Sequence, residues 1–236
     1  MSISLKRIQA IFIKDYKEFT RNYAISIMVL FPIVFALLYR GNESAEMGTY
    51  GFLYNFTFAM LTSFIQACLI AEEKERNTLR SMMMTPASTW DVLIGKSALV
   101  FVISSAVLAV VTYLLGSEPA NIGAFLIANI LSIILYSALG TICGLFSKTL
   151  LEASLSVFPV LILFTGAPFG LLLVDDVPLL KVLDYMPSSQ FIELLDVMQT
   201  TSAIGEVAKP LLIMLAWTIV LTVVSVVMYQ KRLKDE

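Results

Sequence analysis

The stretch TWDVLIGKSALVF, Thr89 to Phe101, contains the trio Gly95-Lys96-Ser97. This trio matches the tail of the phosphate-cradling loop G-x-x-x-x-G-K-[ST], in which successive backbone N–H groups wrap phosphate oxygens. The full loop needs a glycine five residues before Gly95, and Trp90 stands there. The loop also opens a soluble helix, whereas the residues after Ser97 carry no charge before Glu118. The trio is therefore not read as a nucleotide site, and Lys96 needs another role. A lysine about one turn inside a membrane helix can lay its stem along lipid and place its ammonium among phosphate headgroups, as a membrane-interface anchor. It can also tether the preceding loop through a carbonyl or a carboxylate such as Asp91.

Other chemistry is sparse. The sequence has no histidine, which removes the commonest general base and the commonest metal ligand. Cys68 and Cys143 sit far apart in apolar runs and read as small packing residues. Every Asp and Glu falls in a loop, a tail or at the end of an apolar run, with none at its middle. Proton- and sodium-coupled carriers usually depend on ionisable groups inside the membrane, so this distribution weighs against one. The polar residues within the runs are neutral. Asn55, Thr62 and Gln66 fall on one face of a helix, and Asn129, Ser132 and Tyr136 on a face of another. Either set can line a path, or serve as interhelical hydrogen bonds averaging about 0.6 kcal/mol each.

The elements that carry these residues follow from composition. The chain has 236 residues, 58% hydrophobic and 14% charged, with mean hydropathy +0.84. A soluble domain is nearer one-quarter charged, so the chain reads as an integral membrane protein. Six apolar runs approach the roughly 20 residues a bilayer requires: 23–39, 49–71, 92–115, 122–146, 153–174 and 210–229. The first is the shortest and contains Pro32, which predicts a kink. The expectation is an all-α polytopic protein with six transmembrane helices in a single domain, 1–236. Lys and Arg cluster in the N-terminal segment, in the 72–91 connection and at the C-terminus, which predicts that both termini are cytoplasmic.

Ahead of the first run, Leu5, Ile8, Phe12, Tyr16 and Phe19 recur at helical spacing, while Lys6, Lys14, Lys17 and Glu18 fall largely elsewhere. Residues 1–21 are thus expected to form an interfacial helix. The long connection 175–209 holds two short apolar segments broken at Pro187. It reads either as a re-entrant hairpin dipping into the outer half of the membrane or as a surface lid. Gly140-x-x-x-Gly144 and Gly166-x-x-x-Gly170 each permit close helix approach.

The most informative segment is AEEKERNTLRSMMMTPASTWDVLIGKSA, Ala71 to Ala98. Leu79, Met82 and Met83 would share one face of a short helix. Thr85-Pro86 would end it, and Ser88-x-x-Asp91 is a capping-box pattern opening the third span. A methionine-rich protrusion suits docking into a groove, while a solvated loop is the alternative.

This segment resembles the loop of ATP-binding-cassette exporter permeases of the type-two class, whose pattern runs E-x-x-x-G-T-x-x-x-L-x-x-x-P-x-S, an acidic residue, then G-K. Glu73, Thr78, Met82 (for leucine), Pro86, Ser88, Asp91, Gly95 and Lys96 match in register. Asn77 replaces the glycine, and asparagine also tolerates a left-handed turn. Arg80 stands where an acidic residue is frequent. Tyr185-Met186-Pro187 before the last span is also similar to the family.

The resemblance implies a membrane-spanning subunit of an exporter, in a bacterial-type inner or plasma membrane. Its 72–91 loop would be the coupling helix that docks a separate ATPase, through Glu73, Glu75, Asn77, Thr78, Leu79, Met82, Met83 and Pro86. A second permease copy would complete a homo- or heterodimer. ATP and magnesium would be bound by the partner, with no cofactor or metal in this chain and no nucleic acid partner. The absence of charged cavity residues favours a hydrophobic drug or an amphipathic peptide as cargo. Asn55, Thr62, Gln66 and Asn129 are the candidate pathway residues. A non-transporting scaffold that recruits a cytoplasmic partner, or an ion-coupled carrier, remain alternatives.

Overall fold

The structure, a computed structural model, describes residues 4–40, 47–76, 88–117, 119–200 and 204–235. All regular elements among them are helical. α1 is Leu5–Arg21 and α2 is Tyr23–Tyr39, with an 87° bend between them. α3 runs in three consecutive pieces, Met47–Phe56, Thr57–Ser63 and Phe64–Glu75. α4 is Thr89–Leu115, α5 Ile122–Phe146, α6 Leu150–Gly170, α7 Pro187–Thr200 and α8 Ile204–Asp235. Five of these, α3, α4, α5, α6 and α8, are long and apolar enough to cross a membrane, and the bent α1–α2 pair is a sixth candidate.

The winding of α2 tightens ahead of its proline. Residues Ile27–Val29 wind as a 3-10 turn just ahead of Pro32. Proline has no N–H to give the carbonyl four residues back, and its ring crowds that carbonyl, so the preceding turn must tighten.

α3 is the hub of the bundle. Its most apolar stretch is 89% buried inside the chain, against 17% for α8. α5 reaches it through the pair Gly140 and Gly144. A side chain at Gly140 would collide with the Ser63 carbonyl, and a Cβ at Gly144 would stand 2.7 Å from the Ala67 carbonyl oxygen. Gly166, by contrast, faces open space. Only the first of the two small-residue pairs brings spans together backbone to backbone.

The middle of α3, Thr57–Ser63, is π-helical. A π turn takes in an extra residue, so side chains beyond it rotate relative to those before it. Asn55, Thr62 and Gln66 therefore do not share one face. Asn55 Nδ2 donates to the Ser188 carbonyl at the start of α7 at 3.0 Å. The Thr62 hydroxyl bonds the Ser104 hydroxyl of α4 at 2.8 Å. Gln66 Nε2 donates to Thr141 Oγ1 of α5 at 3.0 Å.

Between α6 and α8 the chain forms a hairpin of unequal legs, the 3-10 helix Pro178–Tyr185 and then α7. Its turn lies beside the spans. The Tyr185 carbonyl accepts from Trp217 Nε1 of α8 at 2.8 Å, well inside that helix. Phe191 packs on Tyr54 and Phe58 of α3, with ring centroids 5.6 and 5.3 Å apart. Phe58 stacks on Tyr136 of α5, which meets Phe164 of α6 edge-on. This aromatic chain ties the hairpin to three spans.

Candidate functional site: a buried ion network at one end of the bundle

At the end of α3 opposite the hairpin, three helices meet around charge. Gly95 makes the meeting possible. A Cβ there would lie 2.9 Å from Ile11 Cβ and 3.2 Å from the Ile8 carbonyl oxygen, so only glycine lets α1 lie this close to α4. The capping box at the start of α4 is present: Asp91 N donates to Ser88 Oγ at 3.2 Å, and Ser88 N to Asp91 Oδ2 at 2.9 Å. Asp91 also accepts from Ser4 N at 2.9 Å and pairs with Arg7 at 3.0 Å. The first turn of α1 is thus fastened to the first turn of α4.

Lys96 sits one helical turn further in and is fully buried. Its ammonium lies 2.9 Å from Glu73 Oε1 of α3 and 3.3 Å from Asp15 Oδ2 of α1, and it donates to the Leu69 carbonyl at 3.3 Å. The expected lipid-headgroup anchor is therefore corrected, while the expected tether through a carbonyl or a carboxylate is made by Leu69, Glu73 and Asp15 rather than by Asp91. In each case nearer carboxylates on α1 and α3 take the ammonium, because an ion pair inside protein outweighs a reach to headgroups from a position enclosed by three helices. Glu73 Oε1 is shared with Lys14, whose ammonium is 2.8 Å away, and Lys14 also stands 3.6 Å from Asp15. Lys14 also stands 3.6 Å from Glu18, so two ammonium groups serve three carboxylates in one cluster.

Burial raises the Asp15 carboxyl above its usual range, with Lys96 opposing and Glu73 reinforcing the shift. For Lys14, burial acts to lower the pKa, but Glu73, Asp15 and Glu18 together bring it above its ordinary value. α1 also differs from the simple amphipathic stripe. Its protein-facing side is Ile11, Asp15 and Phe19, while Leu5 and Tyr16 are exposed. Asp15 and Lys14 were missed as candidates. The signal was present: Asp15 lies four residues from both Ile11 and Phe19, on an otherwise apolar face.

Each of the charged residues leaving α3 holds something different. Glu72 pairs with Arg76 one turn on at 2.6 Å. Glu73 binds α1 and α4. Lys74 donates to the Leu145 carbonyl at 2.7 Å and to that of Ser147, at the C-terminal end of α5, where a cation is favoured. Glu75 Oε2 accepts from Leu150 N at 2.8 Å, at the first turn of α6, where an anion is favoured. The other predicted coupling residues, Asn77, Thr78, Leu79, Met82, Met83 and Pro86, lie outside the described residues.

The pathway candidates are buried. Asn55, Thr62 and Gln66 each hold a neighbouring helix, as given above. Asn129 donates to the Phe125 carbonyl at 2.8 Å and lines a cavity of about 600 Å³ between α4 and α5, together with Ser105, Thr112 and Ile133.

An all-helical chain with five or six apolar candidate spans, a loop leaving a buried charged junction and a hairpin before the last span is a multi-pass membrane protein. No curated protein matches the chain. Residues 3–227 match the model of the family described as ABC-2 family transporter protein, and the chain belongs to that family as a membrane permease subunit of an ABC transporter.

Proposed function

We propose that the chain is the membrane half of an ATP-driven exporter that moves a hydrophobic or amphipathic substrate, a peptide or a drug, out of the cell. Family membership implies ABC ATPase partners, and these would bind ATP and magnesium. Two permease copies would pair in a bacterial-type inner or plasma membrane with both termini cytoplasmic. The 72–91 loop would dock the ATPase through Glu73, Glu75, Asn77, Thr78, Leu79, Met82, Met83 and Pro86.

The observation that carries this reading is the attachment of Glu73. One carboxylate oxygen on the helix leading into the loop is bound by ammonium groups from α1 and α4. A push on the loop displaces the end of α3, and through Glu73 it displaces α1 and α4 with it. Lys74 and Glu75 extend the same displacement to α5 and α6. The ion network converts one docked loop into coordinated movement of several spans.

The test is purification from native membranes followed by transport in vesicles. An ABC ATPase should copurify, and substrate should accumulate only with hydrolysable nucleotide, unaffected by an ionophore. Transport that proceeds without nucleotide and collapses with an ionophore would overturn the proposal in favour of ion coupling.

A further inference from the structure

A second polar feature lies beside the ion network and meets it at Glu18, 3.6 Å from Lys14. Where α1 turns through 87° into α2, a cleft of about 340 Å³ opens against the end of α3. That volume falls in the range of small-molecule sites, roughly 300–1,000 Å³. It is lined by Lys17, Glu18, Arg21, Asn22 and Tyr23 on one side and Glu72 and Arg76 on the other. Both signs of charge face it, and they are unequally satisfied. Arg76 is held by Glu72 at 2.6 Å. Lys17 and Arg21, exposed and one turn apart, have no carboxylate partner among the described residues. Glu18 has only a 3.6 Å contact with Lys14, and Glu72 Oε2 is buried without a hydrogen-bond partner. The cleft therefore offers two cations without a carboxylate partner among the described residues, next to the loosely held carboxylate of Glu18. With α1 on the membrane surface, as its sequence predicts, the 87° corner into the apolar helix α2 would stand at the headgroup level.

We infer that this cleft holds the headgroup of a zwitterionic amino-phospholipid, its phosphodiester on Lys17 and Arg21 and its primary ammonium on Glu18. A purely anionic headgroup satisfies the cations but faces the Glu18 carboxylate. A choline headgroup has the right charges, but its trimethylammonium cannot donate hydrogen bonds. A primary ammonium matches both halves. The site is independent of the export reading, because lipid retention is measured without transport.

The experiment uses the full chain in nanodiscs containing equal parts phosphatidylethanolamine, phosphatidylcholine and phosphatidylglycerol, with retained lipid counted by native mass spectrometry. Phosphatidylethanolamine should be retained about tenfold over phosphatidylcholine, the value of one charge-assisted hydrogen bond. The double variant Lys17→Gln/Arg21→Gln should lose retention of both phosphatidylethanolamine and phosphatidylglycerol by about twenty-fivefold, since each basic side chain at a lipid surface is worth about fivefold. Glu18→Gln should remove the preference for phosphatidylethanolamine over phosphatidylglycerol while keeping phosphate-dependent retention. These side chains are at the surface, and unchanged melting of the variants in phosphatidylcholine alone verifies their fold. Equal retention of ethanolamine and choline lipids, or variants that retain lipid like the wild type, would overturn the inference. So would displacement by free phosphoethanolamine at millimolar concentration, which would make the ligand a soluble phosphate ester.

Discussion

The two ends of the bundle are fastened by different chemistry. At the hairpin end the buried contacts are neutral, an asparagine amide on a carbonyl and a chain of aromatic rings, with an indole N–H on a carbonyl beside them, and the Lys209–Glu193 ion pair there, at 3.1 Å, is exposed. At the other end they are charged, and single atoms serve two partners. Glu73 Oε1 is bound by both Lys14 and Lys96, and Asp15 touches the same two ammonium groups. Neutral jigsaw packing has one good arrangement and resists displacement. A cluster in which single oxygens serve two ammonium groups has alternative pairings of similar energy. The contrast predicts rigidity beside the hairpin and adjustability beside the loop.

The largest effect should come from removing the buried cation. Lys96→Met leaves Asp15 and Glu73 with one ammonium fewer and should cost about 3–5 kcal/mol in stability, measured by denaturant or thermal unfolding in detergent. The loss should depend on pH. Asp15 already has a raised pKa, so the stability of its protonated form is present at low pH and is lost as pH rises through the raised value. Without Lys96 that value rises further, and the variant should melt higher at mildly acidic than at mildly alkaline pH. A pH-independent loss would mean that packing, not charge, holds the junction.

Next is Gly140→Val, which should destabilise by about 1–3 kcal/mol by forcing α5 away from the Ser63 carbonyl. Gly166→Val should stay within about 0.5 kcal/mol, since nothing lies within reach of its Cβ. Comparable losses at both would deny α3 its place as the hub. Asn55→Ala should cost about 0.6 kcal/mol, the mean for a hydrogen bond between membrane helices, and should raise protease access to the hairpin without altering the charged end. The smallest change belongs to Glu75→Gln. Its bond to Leu150 N is at an exposed helix start, and unfolding should register at most about 0.5 kcal/mol.

Much of the frame was legible because apolar runs and caps are local. The run 122–146 is a single helix, the Ser88–Asp91 box is formed, and the break at Pro187 is the hairpin turn. The charge distribution misled because it was read along the chain. Glu73, Asp15 and Lys96 all lie near span ends, yet they converge from positions up to 81 residues apart into a space with almost no water access. A long-range pairing has no periodicity to announce it. The π segment was equally silent. It has no sequence signature, yet it rotates Thr62 and Gln66 away from the face of Asn55 and turns a supposed polar stripe into three separate helix contacts. The Gly-Lys pair was visible but misassigned: the glycine admits α1, and the lysine binds what α1 brings.

In the proposed mechanism Glu73 would pass movement of the 72–91 loop to α1 and α4. The direct test is substrate-stimulated ATP hydrolysis by the complete complex carrying Glu73→Gln, measured well below its unfolding temperature. Basal hydrolysis should persist and stimulation by substrate should disappear. Stimulation equal to that of the wild-type complex would contradict the claim.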